Sequence, residues 1–247
     1  MKLWISGALG HMGRAVAEKA AERGVEIIGG VDARGGAADF PLYASFDDAP
    51  VMGDVIIDFS TPEALDSLLR YAVNNHVPAV LATTGYTPAQ LAQIDAAARQ
   101  VALFRSANMS LGVAVLKALA RKAAEALGEG YDVEIIEAHH RRKVDAPSGT
   151  ALLLYDAVKD AYSAPRRAVE GRSGRSCKRQ ENEIGIHAVR GGTVTGEHEV
   201  CFFGPSERIR LCHSAEDRGV FASGALRAAD FLVGKAPGLY SMDDLTA

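Results

Sequence analysis

The stretch Lys2–Arg14, KLWISGALGHMGR, joins a short apolar run to three glycines and then to a helical pattern. Its first part, Lys2–Ser6, has the composition of a strand that is buried on both faces. Gly7, Gly10 and Gly13 follow directly. Glycines at this place allow a tight turn and let the backbone approach a pyrophosphate at the N-terminus of the next helix. The stretch therefore predicts the first strand-turn-helix unit of a dinucleotide-binding fold, with a purely structural turn as the alternative.

The same alternation of strand and helix continues through the first half of the chain. Further apolar runs lie at residues 25–32, 54–59, 78–83 and 101–106, and helical patterns separate them. Two of these patterns begin with Thr-Pro, where threonine can cap a helix and proline fits its first turn. Such alternation indicates a parallel sheet covered by helices. We predict an α/β fold with a Rossmann-like doubly wound parallel sheet.

The pattern changes in the second half of the chain. A helix rich in Ala and Leu is predicted at 111–127, and a strand, a loop and a helix follow up to residue 160. Residues 163–184 contain six Lys or Arg and few large apolar side chains, which is typical of a loop. Three strands with period-2 alternation follow, at 184–190, 196–204 and 207–215. They predict a second, α+β domain with a mixed, mostly antiparallel sheet.

The last helical pattern, at 219–234, is expected to return to the first domain. The predicted division is residues 1–108 plus 217–247 for a dinucleotide-binding domain, and 109–216 for a second domain.

Composition excludes several classes of protein. The chain has 247 residues, of which 48% are hydrophobic, so it can form a full core. A net charge of -4 gives no global positive field, which disfavours nucleic acid as a partner. The three cysteines, Cys177, Cys201 and Cys212, lack the spacing of a zinc site or of a disulfide framework. With no apolar run of membrane-spanning length and no complete secretory segment, we expect a cytoplasmic protein with no membrane or metal partner.

Further positions in the first half suit a dinucleotide. Asp32 ends the second predicted strand, where a carboxylate can accept hydrogen bonds from a ribose. The loops at 82–86 and 105–110 follow the fourth and fifth strands. Ligands of such sheets bind beyond the carboxyl ends of the strands, so these loops are expected to contact the nicotinamide half.

A second motif is EAHHRRKVDAPSGTA, residues 137–151. His139, His140 and Lys143 lie where a predicted strand ends, and the turn 147–150 precedes a helix whose N-terminus can bind an anion. Histidine exchanges protons near neutral pH. For a single histidine, a structural loop residue is the simpler interpretation, but five adjacent cation-capable groups ahead of an anion-binding turn favour a pocket for an acidic substrate.

These motifs, together with IDFSTPE at 57–63, TTGY, SANMS and EIGIHAVRGGTVTGEHEV at 183–200, resemble the dihydrodipicolinate reductase family along nearly the whole chain. The resemblance implies NADH- or NADPH-dependent reduction of 4-hydroxy-tetrahydrodipicolinate, through dihydrodipicolinate, to tetrahydrodipicolinate in the diaminopimelate route of lysine biosynthesis. It also implies that residues 109–216 form a substrate-binding and oligomerisation domain, whose sheets assemble a homotetramer.

The resemblance further implies roles for individual residues. His139 corresponds to a proton donor and acceptor, and Lys143 to a second proton donor. Contacts to the substrate carboxylates are implied for His140, Gly149 and Thr150. The residues that match cofactor-binding segments are Gly7, Ala8, Leu9, Gly10, His11, Met12, Asp32, Ala82, Thr83, Thr84, Ser106, Ala107, Asn108 and Met109.

This chain departs from the family pattern at two positions: Arg142 stands where many members have histidine, and Ala82 replaces a glycine. Asp32 favours NADH because it repels a 2′-phosphate, whereas Arg34 can offset that repulsion. We therefore predict that both cofactors work, with NADH at least as good. Two other classes of function remain open at this point: a binding protein that senses the redox state of the cofactor, and a nucleic-acid binder that uses the basic segment 166–179.

Overall fold

The computed structural model describes residues 1–246. Within this range it contains twelve strands and seven α-helices. The strands are β1 (Lys2–Ser6), β2 (Glu26–Val31), β3 (Leu42–Tyr43), β4 (Val55–Asp58), β5 (Ala79–Leu81), β6 (Ala102–Arg105), β7 (Asp132–His139), β8 (Arg167–Glu170), β9 (Glu183–Arg190), β10 (Gly196–Phe203), β11 (Arg208–Ala215) and β12 (Gly238–Tyr240). The helices are α1 (His11–Glu22), α2 (Leu65–Asn75), α3 (Pro88–Ala97), α4 (Leu111–Leu127), α5 (Gly149–Lys159), α6 (Gly219–Leu232) and α7 (Met242–Thr246).

The chain forms two compact units. Unit 1 comprises residues 1–111 and the segment from Arg218 onward, and unit 2 comprises residues 112–217.

Unit 1 is a parallel sheet of seven strands in the order β12-β6-β5-β4-β1-β2-β3. The change of direction at β1 is the topology of a doubly wound fold, so the predicted fold class is confirmed. All four residues of β4 and the last four of β1 are buried, because helices cover both faces of the sheet. Helix α3 begins at a capping box in which Thr87 and Gln90 bond to each other's backbone N–H groups. The returning helix α6 packs on α1 and on β4, β5 and β6.

Unit 2 is a five-stranded sheet in the order β11-β10-β7-β9-β8. The inward face of β7 packs with α4 and α5 into a core that includes Leu116, Ile135, Val158 and Phe202. The sheet is mixed, as predicted, and pairs β7-β10 and β10-β11 antiparallel but β7-β9 and β8-β9 parallel. Two of the four strand pairs are thus parallel, a larger share than the period-2 alternation of the sequence indicated.

Three strands were absent from the sequence-based assignment. Strand β8 lies inside 163–184, so the prediction of a loop is wrong for residues 167–170, which pair with β9. Strands β3 and β12 have only two and three residues. Segments this short carry no hydrophobic period, and their pairing with a neighbouring strand defines them.

Candidate functional site

Glycine is required at one position in the turn after β1 and at one in the first turn of α1. Gly7 has a φ of +75°, and a Cβ on it would lie 2.6 Å from the backbone oxygen of Phe59. A Cβ on Gly13 would lie 2.2 Å from the backbone oxygen of Gly7. Gly10 is the N-cap of α1 and gives it no side-chain hydrogen bond, which leaves the first-turn N–H groups to a ligand. A helix start of this form fits the pyrophosphate of a dinucleotide.

Asp32 lies directly after β2 and is 8% exposed. Its carboxylate accepts hydrogen bonds from the backbone N of Leu9 at 3.0 Å and from Nε and Nη2 of Arg34 at 2.9 and 2.8 Å. The bond from Arg34 outweighs burial and lowers the pKa of Asp32 to about 2. Arg34 thus turns back onto Asp32 despite the intervening Ala33, and both groups are charged at neutral pH.

A cleft of about 590 Å³ opens beside this turn. Among its lining residues are the predicted cofactor residues Gly7, Gly10 and Asp32. The hydroxyl of Ser6, buried at the end of β1, also lines the cleft and has no hydrogen-bond partner among residues 1–246. The cleft therefore offers an anion-binding turn, a carboxylate and an unused hydroxyl to a ribose and phosphate ligand, so the residues present fit a nicotinamide dinucleotide.

Sequence reasoning did not single out the other polar residues of this cleft. They follow β3 and β4 and are Ser45, Ser60, Thr61, Glu63 and Ser67. The available signal was the Ser-Thr pair that follows the buried strand β4, at the carboxyl edge of the sheet. The remaining predicted cofactor positions are not among the lining residues of this cleft: Ala8, Leu9, His11, Met12, Ala82, Thr83, Thr84, Ser106, Ala107, Asn108 and Met109.

Each of the two predicted cofactor loops forms a hydrogen bond to the protein backbone. The N–H of Ala82 donates to the carbonyl of Asp58 at 2.9 Å, and the hydroxyl of Ser106 donates to the carbonyl of Asn108 at 2.7 Å. His76 is the only non-glycine residue with positive φ between residues 1 and 246, so alanine at position 82 adopts an ordinary backbone conformation.

Asp58, at the end of β4, is an additional buried polar residue at this edge. It accepts hydrogen bonds from Ser60 and, at 3.3 Å, from the hydroxyl of Tyr86, whose pKa is raised by burial. The carboxylate thus joins the segment after β4 to the loop after β5.

The histidine motif of unit 2 begins on β7. Glu137 and His139 are two residues apart, so both side chains point to the same, inward face of the sheet. Strand β7 lies between β9 and β10, whose register places Arg190 opposite His139 and His198 opposite Glu137. Residues more than fifty positions apart in the chain therefore meet at the end of one strand.

Glu137 is completely buried and has four hydrogen-bonding contacts. Its oxygens lie 2.6 Å from Nδ1 of His139 and 3.0 Å from the backbone N of Ser148. The two terminal nitrogens of Arg190 each donate to one carboxylate oxygen at 2.7 Å. Burial raises the pKa of Glu137, but the bonds from Arg190 and His139 outweigh it and the net pKa is lowered. Glu137 is therefore an ionised carboxylate.

His198 is a further buried histidine that the sequence reasoning missed. It is 5% exposed, its ring stands edge-on to that of His139 with the centroids 5.1 Å apart, and its Nε2 lies 3.2 Å from the hydroxyl of Ser148. Burial, and then the charge of His139, lower its pKa to about 4. His198 is therefore neutral at neutral pH. The sequence signal was its place in a strand of period 2, on the face that points inward.

The other predicted residues of this site surround the start of α5. Ser148 caps the helix by accepting from the N–H of Ala151 at 3.2 Å, and Gly149 and Thr150 are its first two residues. Nζ of Lys143 forms an ion pair with Asp145 at 2.8 Å. The backbone of His140 donates to the carbonyl of Val194 at 2.8 Å, whereas its buried Nδ1 has no partner in the described chain.

His139 thus ends β7, His140 and Lys143 lie in the loop that follows, and Gly149 and Thr150 begin α5. Glu137 and His198 are buried next to His139. Such a site can hold an anion at the helix N-terminus and exchange a proton through an imidazole.

Two family models match this chain. One is described as dihydrodipicolinate reductase, N-terminus, and matches residues 1–109; the other is described as dihydrodipicolinate reductase, C-terminus, and matches residues 112–246.

Full-length relatives carry a single name. The chain is 48% identical over 246 residues to the 4-hydroxy-tetrahydrodipicolinate reductase of Caldanaerobacter subterraneus, with 99% of this chain and 98% of the relative covered. It is 45% identical over 249 residues to the enzyme of the same name from Caulobacter vibrioides, with 99% and 96% covered.

Solved structures show the same fold. The dipicolinate-bound dihydrodipicolinate reductase of Paenisporosarcina sp. TG-14 superimposes with a TM-score of 0.82 at 23% identity, covering 99% of each chain. The C. glutamicum DAP dehydrogenase in complex with DAP gives a TM-score of 0.59 at 14% identity, covering 99% of this chain and 93% of that one.

Proposed function

The chain belongs to the dihydrodipicolinate reductase family, and from that membership we propose which of its residues perform the reaction. It is an oxidoreductase that reduces 4-hydroxy-tetrahydrodipicolinate to tetrahydrodipicolinate, in the diaminopimelate route of lysine biosynthesis. The substrate is a cyclic dicarboxylate, and the reductant is NADH or NADPH.

Unit 1 is proposed to be the dinucleotide-binding domain. The bound nicotinamide supplies the hydride. The N–H groups at the start of α1 would hold the pyrophosphate, and Asp32 with Arg34 would hold the adenosine ribose. The segments 82–84 and 106–109 lie at the carboxyl ends of β5 and β6, the edge where ligands of such sheets bind.

Unit 2 is proposed to be the substrate domain. One substrate carboxylate would accept hydrogen bonds from the backbone of Gly149 and Thr150, at the positive end of α5, and the ring of His140 would contact the substrate beside it. His139 would exchange the proton that accompanies hydride addition, and Lys143 would be the second proton donor. Protonation of the substrate ring as the hydride arrives avoids an unstable substrate anion. Proton transfer of this kind typically contributes about 10²- to 10⁴-fold in rate.

The observation that supports these roles most strongly is the state of the His139 ring. A buried, ionised carboxylate lies 2.6 Å from its Nδ1, while its Nε2 has no hydrogen bond within residues 1–246. One ring nitrogen is thus fixed and the other is available. An arrangement of this kind suits a proton donor and acceptor.

The test is to replace His139 and Lys143 separately by alanine. Each change should lower kcat by about 10²- to 10⁴-fold, while the affinity for NADH stays nearly unchanged, because proton transfer is lost and nucleotide binding is kept. His140→Ala should instead raise KM more than it lowers kcat. Cofactor binding is measured by nicotinamide fluorescence, and turnover by nicotinamide absorbance with substrate made in situ.

Two matched controls come from the same unit. His187 is also hydrogen-bonded to a carboxylate, that of Glu134, and Lys159 also pairs with an aspartate, yet both lie outside the motif. His187→Ala and Lys159→Ala should keep wild-type kcat. Equal loss of NADH affinity in the three motif variants would contradict the assigned roles, and wild-type protein that oxidised no cofactor would contradict the function itself.

We also propose that the protein is a cytoplasmic homotetramer. The outer face of the unit 2 sheet supports assembly, since Ile136, Val189 and Phe203 are exposed there beside charged residues. No helix between residues 1 and 246 has the length and apolar character needed to cross a membrane. Light scattering after size exclusion should give four times the 26.1 kDa chain mass, and a monomeric mass would exclude the tetramer.

A further inference from the structure

Glu137 is a buried charge to which the roles above assign no task. A fully buried carboxylate is costly unless its charge is compensated, and here four contacts do so: the ring of His139, the backbone of Ser148 and the two arms of Arg190. Two of these partners belong to the proposed site itself. His139 is the proposed proton donor and acceptor, and Ser148 is the N-cap of the helix whose first residues would bind a substrate carboxylate.

The charge state of Glu137 determines which nitrogen of His139 carries hydrogen. Arg190 holds Glu137 in a bidentate contact, and its bonds help to keep the pKa of that carboxyl below its usual range. An ionised carboxylate can only accept hydrogen bonds. Nδ1 of His139, 2.6 Å away, must therefore be the protonated nitrogen, and Nε2 is the nitrogen that exchanges a proton.

The other charged or titratable groups around His139 do not take over this task. From β10, His198 faces the ring edge-on and is neutral at neutral pH, because burial lowers its pKa to about 4. From β9, Arg190 binds Glu137 and the carbonyl of Asp145. In the loop after β7, Lys143 pairs with Asp145, and on β11 His213 lies opposite His198. Glu137 is the carboxylate in contact with the ring.

We propose that Glu137 is a positioning residue of the reduction: it fixes the Nδ1–H tautomer and the orientation of His139, and it stabilises the imidazolium that forms when Nε2 holds a proton. Arg190 keeps this carboxylate ionised and in place. When Nε2 releases its proton to the substrate, the Nδ1–H bond to Glu137 stays intact, so the ring is ready to be protonated again. This inference rests on the proposed role of His139.

Strand β7 contains a matched control. Glu134, three residues before Glu137, lies 2.7 Å from Nε2 of His187 and also pairs with arginines, but it points to the opposite face of the sheet. Glu134→Gln therefore removes a similar carboxylate-histidine-arginine contact without touching His139.

The experiment compares Glu137→Gln, Glu137→Asp and Glu134→Gln in the full-length protein. Glu137→Gln should lower kcat by about 10²- to 10⁴-fold, the range of a lost proton transfer, with KM and NADH affinity within about threefold of wild type. Glu137→Asp keeps the charge and should recover part of kcat. Glu134→Gln should keep wild-type kcat. Equal kcat in Glu137→Gln and wild type would overturn the proposal.

A spectroscopic measurement makes the result independent of folding defects. Long-range ¹H–¹⁵N spectra of the wild-type protein, with the His139 signals assigned by their loss in His139→Gln, should show Nδ1 protonated and Nε2 unprotonated in the neutral ring. A neutral His139 protonated on Nε2 would overturn the proposal even if Glu137→Gln fails to fold.

The role of His139 and the positioning role of Glu137 are contradicted by different outcomes. If His139→Ala keeps wild-type turnover, the proposed function of His139 fails and this inference fails with it. If His139→Ala is inactive while a folded Glu137→Gln is fully active, only the positioning role of Glu137 is wrong.

Discussion

His198 should make the stability of unit 2 sensitive to mild acid. Its pKa is lowered from 6.5 to about 4, first by burial and then by the charge of His139. Between these two values the unfolded chain takes up a proton that the folded chain does not bind. This contribution to stability is therefore present above pH 6.5 and is lost as the pH falls toward 4.

The size of the effect follows from the pKa difference. One pKa unit corresponds to about 1.36 kcal/mol, so a difference of about 2.5 units costs roughly 3 kcal/mol between pH 7 and pH 4. His198→Gln removes the titration and keeps a nitrogen near the hydroxyl of Ser148, which now lies 3.2 Å from Nε2. The variant should lose roughly 3 kcal/mol less stability than wild type over this interval.

The assay is urea unfolding followed by far-UV circular dichroism at a fixed protein concentration, at intervals from pH 8 to pH 4. Carboxylates that titrate at the acid end are common to both proteins, so the difference between their curves reports His198 together with its electrostatic coupling to His139. Between pH 7 and pH 8 the two curves should run parallel. Equal losses of stability in wild type and variant from pH 7 to pH 4 would refute the argument that burial keeps His198 neutral.

Three further changes test unit 1. Arg34→Ala exposes the carboxylate of Asp32 to the 2′-phosphate of NADPH and should reduce kcat/KM for NADPH selectively. In the native protein, a preference for NADPH above about tenfold, or 1.4 kcal/mol, would contradict our expectation that NADH is at least as good. Gly13→Ala places a Cβ 2.2 Å from the carbonyl of Gly7 and should abolish measurable NADH binding in a fluorescence titration, with a destabilisation of about 1–3 kcal/mol. Thr87→Ala removes the capping box of α3 and should lower the free energy of unfolding by about 1 kcal/mol with unchanged kcat, whereas a change in kcat would implicate the α3 cap in turnover.

Local sequence patterns predicted most of the fold. The glycines after β1 and the strand-helix alternation predicted the sheet of unit 1, because burial on both faces leaves continuous apolar runs in the sequence. The two Thr-Pro pairs marked the start of α3 and of the helical turn Pro62–Ala64 before α2, because proline fits a first turn in both. The predicted side-chain cap forms at Thr87, whereas Thr61 makes none. The sequence did not predict the short strands β3, β8 and β12, because they form only by pairing with a neighbouring strand and their own composition does not mark them.

In the candidate site, too, the sequence predicted the residues of one local segment and missed those that distant strands contribute. The motif at 137–151 marked His139, His140 and Lys143, since they lie close together in the chain. It did not mark Arg190 or His198, which reach the site through the registers of β9 and β10 with β7. Register between strands is set by the whole inward-facing pattern and by distant turns, so a single sequence does not reveal which residues become opposite. The function of Glu137 follows only once those registers are known.

Because the chain leaves the ribosome from its N-terminus, unit 1 and unit 2 can complete their folds at different stages of synthesis. Unit 2 is one continuous segment and can fold as soon as residue 217 has emerged. Unit 1 is interrupted: residues 1–111 are made first, while α6, which packs on β4, β5 and β6, and the edge strand β12 arrive last. During synthesis the nascent sheet therefore presents an uncovered apolar face and an unpaired edge at β6, the kind of surface to which chaperones bind. A ribosome stalled after residue 111 should hold a chaperone-bound, protease-sensitive chain, and release from the chaperone should coincide with the emergence of α6.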